Sequence, residues 1–181
     1  MAALDGVLRS VVEMRAGLVQ IVAVAGAGKT TIMRDLLTRW PVPEKRGGVD
    51  LWYSMRYPGI RYFYPGRLGH NFEDLRGGGL LGVDEADRVA TRGKKAWQWI
   101  LDAANCCRNL GVTMAWTARD PVAAQYELAN LSRLWIVGYQ PNKDHLRALL
   151  VKRPDAWEII RRLDPGKERE RCGQFAVFKL W

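Results

Sequence analysis

The fold of this chain is decided by the stretch Gln20-Ile-Val-Ala-Val-Ala-Gly-Ala-Gly-Lys-Thr-Thr31. Residues 18–24 are apolar apart from Gln20 and predict a buried strand, whereas residues 31–40 predict a helix. Between them, residues 23–30 fit the pattern G/A-x-x-x-x-G-K-S/T, with Ala23 where glycine is more usual. A strand, a glycine-rich loop and a helix in this order predict a phosphate-binding loop.

This loop is expected to hold a nucleoside triphosphate. Its backbone N–H groups, with the positive end of the following helix, form a cradle for phosphate. Lys29 is expected to reach the β- and γ-phosphates, and the Thr30 hydroxyl is expected to ligate Mg²⁺. The predicted cofactors are therefore ATP and Mg²⁺. The predicted nucleotide-binding residues of the loop are Ala25, Gly26, Ala27, Gly28, Lys29, Thr30 and Thr31.

A second informative stretch is Gly77-Gly-Gly-Leu-Leu-Gly-Val-Asp-Glu-Ala-Asp87. Its apolar run predicts a buried parallel strand that delivers Asp84 and Glu85 to the carboxyl edge of a sheet. Asp84 is expected to hold the Mg²⁺ shell through water, opposite Thr30, and Glu85 to activate or orient the attacking water. The alternative is structural, with Asp84 capping the next helix and Glu85 as an acid in its first turn. A glutamate beside the aspartate favours hydrolysis over transfer to a bound acceptor.

Polar residues also follow the strand predicted at 112–117, in the stretch Thr117-Ala-Arg-Asp-Pro121. At that strand end, Thr117 or Arg119 would lie beside the γ-phosphate and sense it, and Arg119 is a candidate catalytic residue. Arg119 is alternatively a finger that reaches a neighbouring subunit. A structural explanation also stays open, in which Thr117 ends the strand and Arg119 pairs with a surface acid.

The order of predicted elements defines the fold class. Further strands are predicted at 60–64, 134–138 and 174–180, and helices at 2–14, 96–110 and 144–163, the last with a break at Pro154. Residues 41–50 are predicted to form a loop. Alternating strands and helices predict an α/β three-layer sandwich with a mostly parallel sheet. We expect one ATPase domain over 1–181, with an N-terminal helix (1–15), a nucleotide-binding core (16–140) and C-terminal helices with the last strand (141–181).

Composition and charge narrow the class of partners. A net charge of +9 and a pI near 9.8 favour a polyanion, although solubility alone accounts for a moderate excess. The chain has no apolar run of the ~18 residues that cross a membrane, and its N-terminus is unlike a secretory signal. The three cysteines lack metal-ligand spacing. These features predict a cytoplasmic protein without a membrane partner.

Together, the stretches at 23–30, at Asp84-Glu85 and at 117–121 resemble the FtsK–HerA superfamily of ring-forming DNA-translocating ATPases. The resemblance is greatest to its short viral genome-packaging members. It extends over about residues 16–180, through the strand near 134–138, the polar step Asn142-Lys-Asp144 and the stretch Gly173-Gln-Phe-Ala-Val-Phe178. Members often carry glutamine at the end of the fourth strand, where this chain has Thr117 and Arg119.

The resemblance implies a RecA/FtsK-like P-loop NTPase in which ATP hydrolysis moves double-stranded DNA through the channel of a homo-oligomeric ring. The expected ring is a hexamer with ATP sites between subunits, located in a host cytoplasm or a virion. The candidates for its arginine finger are Arg88, Arg92, Arg119 and Arg133. The basic run that includes Arg88 and Arg92 would face DNA phosphates or a neighbouring nucleotide, or would simply be solvated.

Three other classes compete with this interpretation. Asp84-Glu85-Ala86-Asp87 matches the letters of the DEAD-box helicases, but those enzymes need two RecA-like lobes and this chain is too short for both. A small-molecule P-loop kinase lacks support because no arginine-rich lid is evident beyond the short run at 167–171. A loader ATPase that grips a protein partner would need a helical lid, of which residues 144–163 offer only a fragment.

Overall fold

The computed structural model describes residues 2–49, 58–64, 72–90, 93–118, 126–165 and 173–181. In chain order, the helices and strands are α1 (Ala2–Glu13), β1 (Gly17–Val22), α2 (Lys29–Arg39), β2 (Arg46–Val49), β3 (Arg61–Phe63), β4 (Leu80–Val83), α3 (Ala86–Ala90), α4 (Lys94–Cys106), β5 (Thr113–Thr117), α5 (Tyr126–Leu131), β6 (Ser132–Gly138), α6 (Arg147–Lys152), α7 (Ala156–Ile160) and β7 (Phe175–Lys179). Short 3-10 helices lie at Pro43–Lys45, Phe72–Leu75 and Lys143–Leu146.

The strands form one seven-stranded sheet in the order β3-β2-β4-β5-β1-β6-β7. Strands β1 to β6 run parallel to their neighbours, and β7 pairs antiparallel with β6 at one edge. The predicted α/β fold with a mostly parallel sheet is therefore confirmed. This order places β4, β5 and β1 side by side, so their carboxyl ends lie next to one another.

Helices cover both faces of this sheet, which makes the molecule a three-layer sandwich. Strand β1 shows why, because its residues are buried on both faces. Val19 and Ile21 pack with α1 and α2 on one side, whereas Leu18 and Val22 belong to the core that contains α4 to α7 on the other. The central strands are thereby held between two apolar layers.

The prediction of a loop at residues 41–50 was wrong for its second half. A 3-10 helix occupies Pro43–Lys45, and Arg46–Val49 forms β2, which pairs with β3 and β4. The glycines that suggested a loop are required by packing instead, since a Cβ added at Gly47 would collide with the ring of Phe63. Close contact between neighbouring side chains thus outweighs the low strand propensity of glycine.

The remaining elements lie close to their predicted positions, with two additions. The predicted helix at 144–163 is divided into a 3-10 helix, α6 and α7, with the break around Pro154. The short helix α5 was not predicted, and a helix at the position of α3 was predicted only in the structural alternative for Asp84 and Glu85. Within the described ranges, no helix has both the length and the apolar character to span a membrane.

Candidate functional site

The loop between β1 and α2 has the backbone shape that its glycines predict. Gly26 and Gly28 have φ angles of 81° and 100°, in the left-handed region that glycine adopts without steric cost. Helix α2 begins at Lys29, immediately after Gly28. The first N–H groups of α2 lack acceptors within the helix, so this end of α2 suits an anion.

Backbone hydrogen bonds attach the loop to two neighbouring segments, one after β6 and one before β7. The N–H of Val24 donates to the carbonyl of Tyr139, just after β6, at 3.1 Å. The N–H of Gly173, just before β7, donates to the carbonyl of Ala27 at 3.2 Å. Gly138 allows this approach, because a Cβ there would lie 2.7 Å from the Cβ of Ala23. The loop is therefore fixed to the β6–β7 side of the sheet.

A cavity of about 560 Å³ opens in front of this loop. Its volume lies in the range of small-molecule and cofactor sites. The lining residues come from three segments of the chain that the sequence predicted to meet: Ala25, Gly26, Gly28, Lys29, Thr30, Thr31, Asp84, Glu85 and Thr117. The predicted loop residue Ala27 is buried and does not line the cavity.

Lys29 bends back over its own loop. Its Nζ donates to the carbonyls of Ala23, at 2.8 Å, and Val24, at 3.1 Å. These contacts hold the ammonium group against the loop, and Lys29 also lines the cavity. A lysine in this position places one positive charge beside the N-terminus of α2.

Asp84 joins α2 and β5 at the end of β4. Its Oδ2 accepts a hydrogen bond from Thr30 Oγ1 at 2.8 Å, and its Oδ1 accepts one from Thr117 Oγ1 at 2.5 Å. The side chain is almost fully buried. Gly82 brings α2 close to β4, since a Cβ there would lie 2.9 Å from the sulfur of Met33. This close packing places Thr30 within reach of Asp84.

Glu85 occupies the turn between β4 and α3. Its φ of 52° is unusual for a residue with a side chain, and its N–H donates to Thr117 Oγ1 at 2.9 Å. Its Oε2 lies 2.8 Å from Nε of Arg88, with both side chains 26% exposed. The hydroxyl of Thr117 thus contacts both acidic residues of the site.

Sequence reasoning missed two of these features. The Glu85–Arg88 ion pair has the i,i+3 spacing that brings side chains together on a helix, so a signal for it was present. The link from Thr117 to Asp84 and Glu85 joins residues more than thirty positions apart and leaves no local signal.

The four candidates for the arginine finger differ in where they lie. Arg92 and Arg119 lie outside the described residues. Arg133 lies near the start of β6, whereas the cavity lies at the carboxyl ends of the strands. Its guanidinium is 5.8 Å from the ring centroid of Trp181. Arg88 therefore stands beside the cavity of its own chain, and Arg133 does not.

The parallel sheet, the glycine-rich loop and the acidic end of β4 together define the fold of the P-loop NTPases. Neither a protein-family model nor a curated protein sequence matches the chain.

Among solved structures, the chain is similar to the genome packaging NTPase B204 from Sulfolobus turreted icosahedral virus 2 in complex with AMPPCP. The TM-score is 0.62 and the identity 12%, covering 91% of this chain and 92% of that one. It is also similar to B204, the DNA-packaging ATPase from Sulfolobus turreted icosahedral virus, with a TM-score of 0.61, 16% identity and the same coverages. The complex of the former NTPase with ATP-gammaS has a TM-score of 0.59 and 13% identity over 92% of this chain and 93% of that one. The resemblance to short viral genome-packaging ATPases is confirmed at the level of the fold.

Proposed function

We propose that this protein is an Mg²⁺-dependent ATPase that moves double-stranded DNA, as the genome-packaging motor of a virus or mobile element. The observation that carries the proposal is the meeting of Lys29, Thr30, Asp84 and Glu85 at one cavity, in front of a glycine-rich loop. The similar solved structures support it, because they are described as packaging NTPases in complex with ATP analogues.

ATP would bind with its phosphates on the loop residues 25–31. The N–H groups of the loop and of the start of α2 would hold the phosphate oxygens, and Lys29 would leave its two loop carbonyls to contact the β- and γ-phosphates. Lys29 would then neutralise charge that develops during hydrolysis. We also propose that Thr117 and Arg119 sense the γ-phosphate.

The donor chemistry of the site fits Mg²⁺. The Thr30 hydroxyl and the Asp84 carboxylate are hard oxygen groups that lie 2.8 Å apart, and Mg²⁺ prefers such oxygens together with phosphates and waters. Thr30 would ligate the ion directly and Asp84 through water. The ion would neutralise the phosphates and the leaving oxygen.

Glu85 would accept a proton from the attacking water or orient it. Its carboxylate lines the cavity next to Asp84, and its backbone is fixed by Thr117. General base catalysis of this kind contributes about 100-fold or more to a hydrolysis rate. The position of Glu85 favours water, rather than a bound acceptor, as the nucleophile that attacks the γ-phosphate.

The proposals of a DNA partner and of a ring are based on the net charge and on the resemblance to packaging ATPases. The net charge of +9 suits a polyanion, and the similar structures are named as DNA- or genome-packaging proteins. We infer a homo-oligomeric ring, a hexamer, with ATP sites between subunits and an arginine finger from a neighbour. The ring would work in a host cytoplasm or at a virion.

The decisive experiment measures ATP hydrolysis with Mg²⁺ at low salt, with and without duplex DNA. We expect hydrolysis by the wild type, stimulated by duplex DNA, and a loss of about 100-fold or more in both Lys29→Ala and Glu85→Gln. Glu85→Gln should still bind a fluorescent ATP analogue, because the phosphate loop is intact.

Lys45→Ala is the matched control for Lys29→Ala. Lys45 Nζ also donates to two backbone carbonyls, those of Arg76 at 2.8 Å and Gly77 at 3.0 Å, but it lies away from the cavity. Lys45→Ala should therefore hydrolyse ATP like the wild type. Full activity of Lys29→Ala would overturn the site. Turnover that requires a small-molecule acceptor would indicate a kinase, and an absence of any DNA effect would remove the motor while leaving the ATPase.

A further inference from the structure

We propose that Arg88 is a positioning residue that holds the carboxylate of Glu85 at the cavity of its own chain. This role rests on the proposed ATPase function. Arg88 contacts Glu85 twice: its Nε lies 2.8 Å from Glu85 Oε2, and its backbone N–H donates to the Glu85 carbonyl at 2.8 Å. Glu85 lines the cavity and Arg88 does not, so Arg88 would act on the reaction only through its contact with Glu85.

The backbone hydrogen bonds of Glu85 fix its main chain but do not by themselves orient its carboxylate. The N–H is held by Thr117 and the carbonyl by the first turn of α3, in a left-handed conformation at φ 52°. Beyond the Cα, a glutamate side chain has several rotatable bonds, and ordering them costs conformational entropy. The ion pair with Arg88 selects one arrangement of the carboxylate before the nucleotide binds.

Burial strengthens this ion pair relative to similar pairs on the surface. The Glu85 and Arg88 side chains are each 26% exposed, whereas Glu158 and Arg161, with the same i,i+3 spacing, are 55% and 52% exposed. Water screens an exposed pair more strongly, and an exposed pair orders its partners less. Arg161 on the surface near α7 therefore serves as the matched control for Arg88 near the cavity.

The contact with Glu85 also bears on the search for an arginine finger. A finger reaches a nucleotide bound by the neighbouring subunit, whereas the guanidinium of Arg88 is engaged with the acid of its own chain. Arg88 should then affect hydrolysis in cis.

The first experiment measures steady-state ATP hydrolysis by Arg88→Ala, Arg88→Lys and Arg161→Ala. We expect Arg88→Ala to lower kcat about 10-fold, because a displaced catalytic group loses most of its effect. The KM for ATP should change less than about 2-fold, since the phosphate loop is untouched. Arg88→Lys should recover most of the rate, and Arg161→Ala should match the wild type. An unchanged or increased kcat in Arg88→Ala overturns the positioning role, as does a change confined to KM.

The second experiment mixes Arg88→Ala with Glu85→Gln. If Arg88 acts on its own Glu85, no chain in the mixture has a complete site, and the rate stays at the sum of the two separate rates. If Arg88 is instead a finger, an Arg88→Ala chain regains activity beside a Glu85→Gln neighbour, and a rate above that sum overturns the proposal. Lack of hydrolysis by the wild type would overturn the ATPase itself, an outcome distinct from both.

Discussion

The hydroxyl of Thr117 makes two hydrogen bonds within the chain, both to residues at the acidic end of β4. A threonine hydroxyl offers one donor and two acceptor lone pairs. Here it donates to Asp84 Oδ1 and accepts from the N–H of Glu85, at the end of a strand where Thr117 is fully buried. This hydroxyl therefore links the end of β5 to Asp84 and Glu85 at the end of β4, whether or not it also contacts a γ-phosphate.

Replacing Thr117 by valine and by serine separates the hydroxyl from the shape of the side chain. Thr117→Val keeps the volume but leaves a buried carboxylate oxygen and an N–H without this partner, at a cost of about 1–3 kcal/mol. We expect lower stability and a lower kcat for valine, and near wild-type kcat for serine. Urea unfolding and steady-state hydrolysis measure both. Equal loss of activity in the two variants would contradict a role for the hydroxyl.

At the residue scale, the sequence predicted which residues lie near one another wherever these residues are contiguous in the chain. Residues 25–31 form the loop and the start of α2, and Asp84 and Glu85 are adjacent, so pattern and spacing indicated that both stretches lie at one cavity, which all of these residues except Ala27 line. The partners of these residues were not predictable in the same way. The contacts of Thr117 depend on which strand neighbours β4, and that pairing is set by the whole sheet.

At the scale of elements, β2 shows how packing overrides local propensity. Gly47 and Gly48 lie in a strand, although glycine weakens strands and predicted a loop here. A Cβ at Gly47 would meet the ring of Phe63 on β3 and the side chain of Leu75. Glycine at this position lets the aromatic ring of the adjacent strand fold over β2.

Gly47→Ala should destabilise the protein by about 1–3 kcal/mol, as overpacking of a core does. Gly6→Ala is the control, because Gly6 lies in α1 with no atom within 4 Å of an added Cβ. That substitution should stabilise the protein by up to about 1 kcal/mol, since alanine favours helices. Thermal unfolding of both variants measures the difference. A neutral Gly47→Ala would mean that Phe63 moves aside at no cost.

The other elements were easier to predict where they contain a clear apolar run. Strands β1, β4, β5 and β6 are short buried runs and lie within a few residues of their predicted positions. Helices α3 and α5 have only five and six residues, too few turns for a helical period to emerge. Local periodicity therefore identifies the central sheet better than the connections between its strands.

At the scale of the whole molecule, the strand order creates the site. The strand order β4-β5-β1 brings the carboxyl ends of three strands together, although these strands are separated by dozens of residues in the chain. Periodicity predicts the strands but not their order, because pairing between distant segments leaves no local trace. Ligands of open parallel sheets bind at the carboxyl edge of the strands, and the observed order places the cavity at that edge.

The excess of positive charge over the whole chain leads to the last prediction, which concerns salt. A protein that neutralises phosphates on DNA releases counterions, so its affinity falls steeply as salt rises. If the net charge of +9 serves duplex DNA, a site that covers about four phosphates should lose about 100-fold in affinity between about 50 and about 200 mM salt. Fluorescence anisotropy with a labelled duplex measures this loss.

Binding of a fluorescent ATP analogue over the same salt range serves as the control. The phosphate loop holds its ligand largely through backbone N–H groups and one lysine in a cavity, so its affinity should change much less than that for DNA. A steep dependence for DNA and a shallow one for nucleotide would separate the two sites physically. Affinity for duplex DNA that does not respond to salt would contradict a surface that recognises phosphates, and the excess charge would then serve solubility alone.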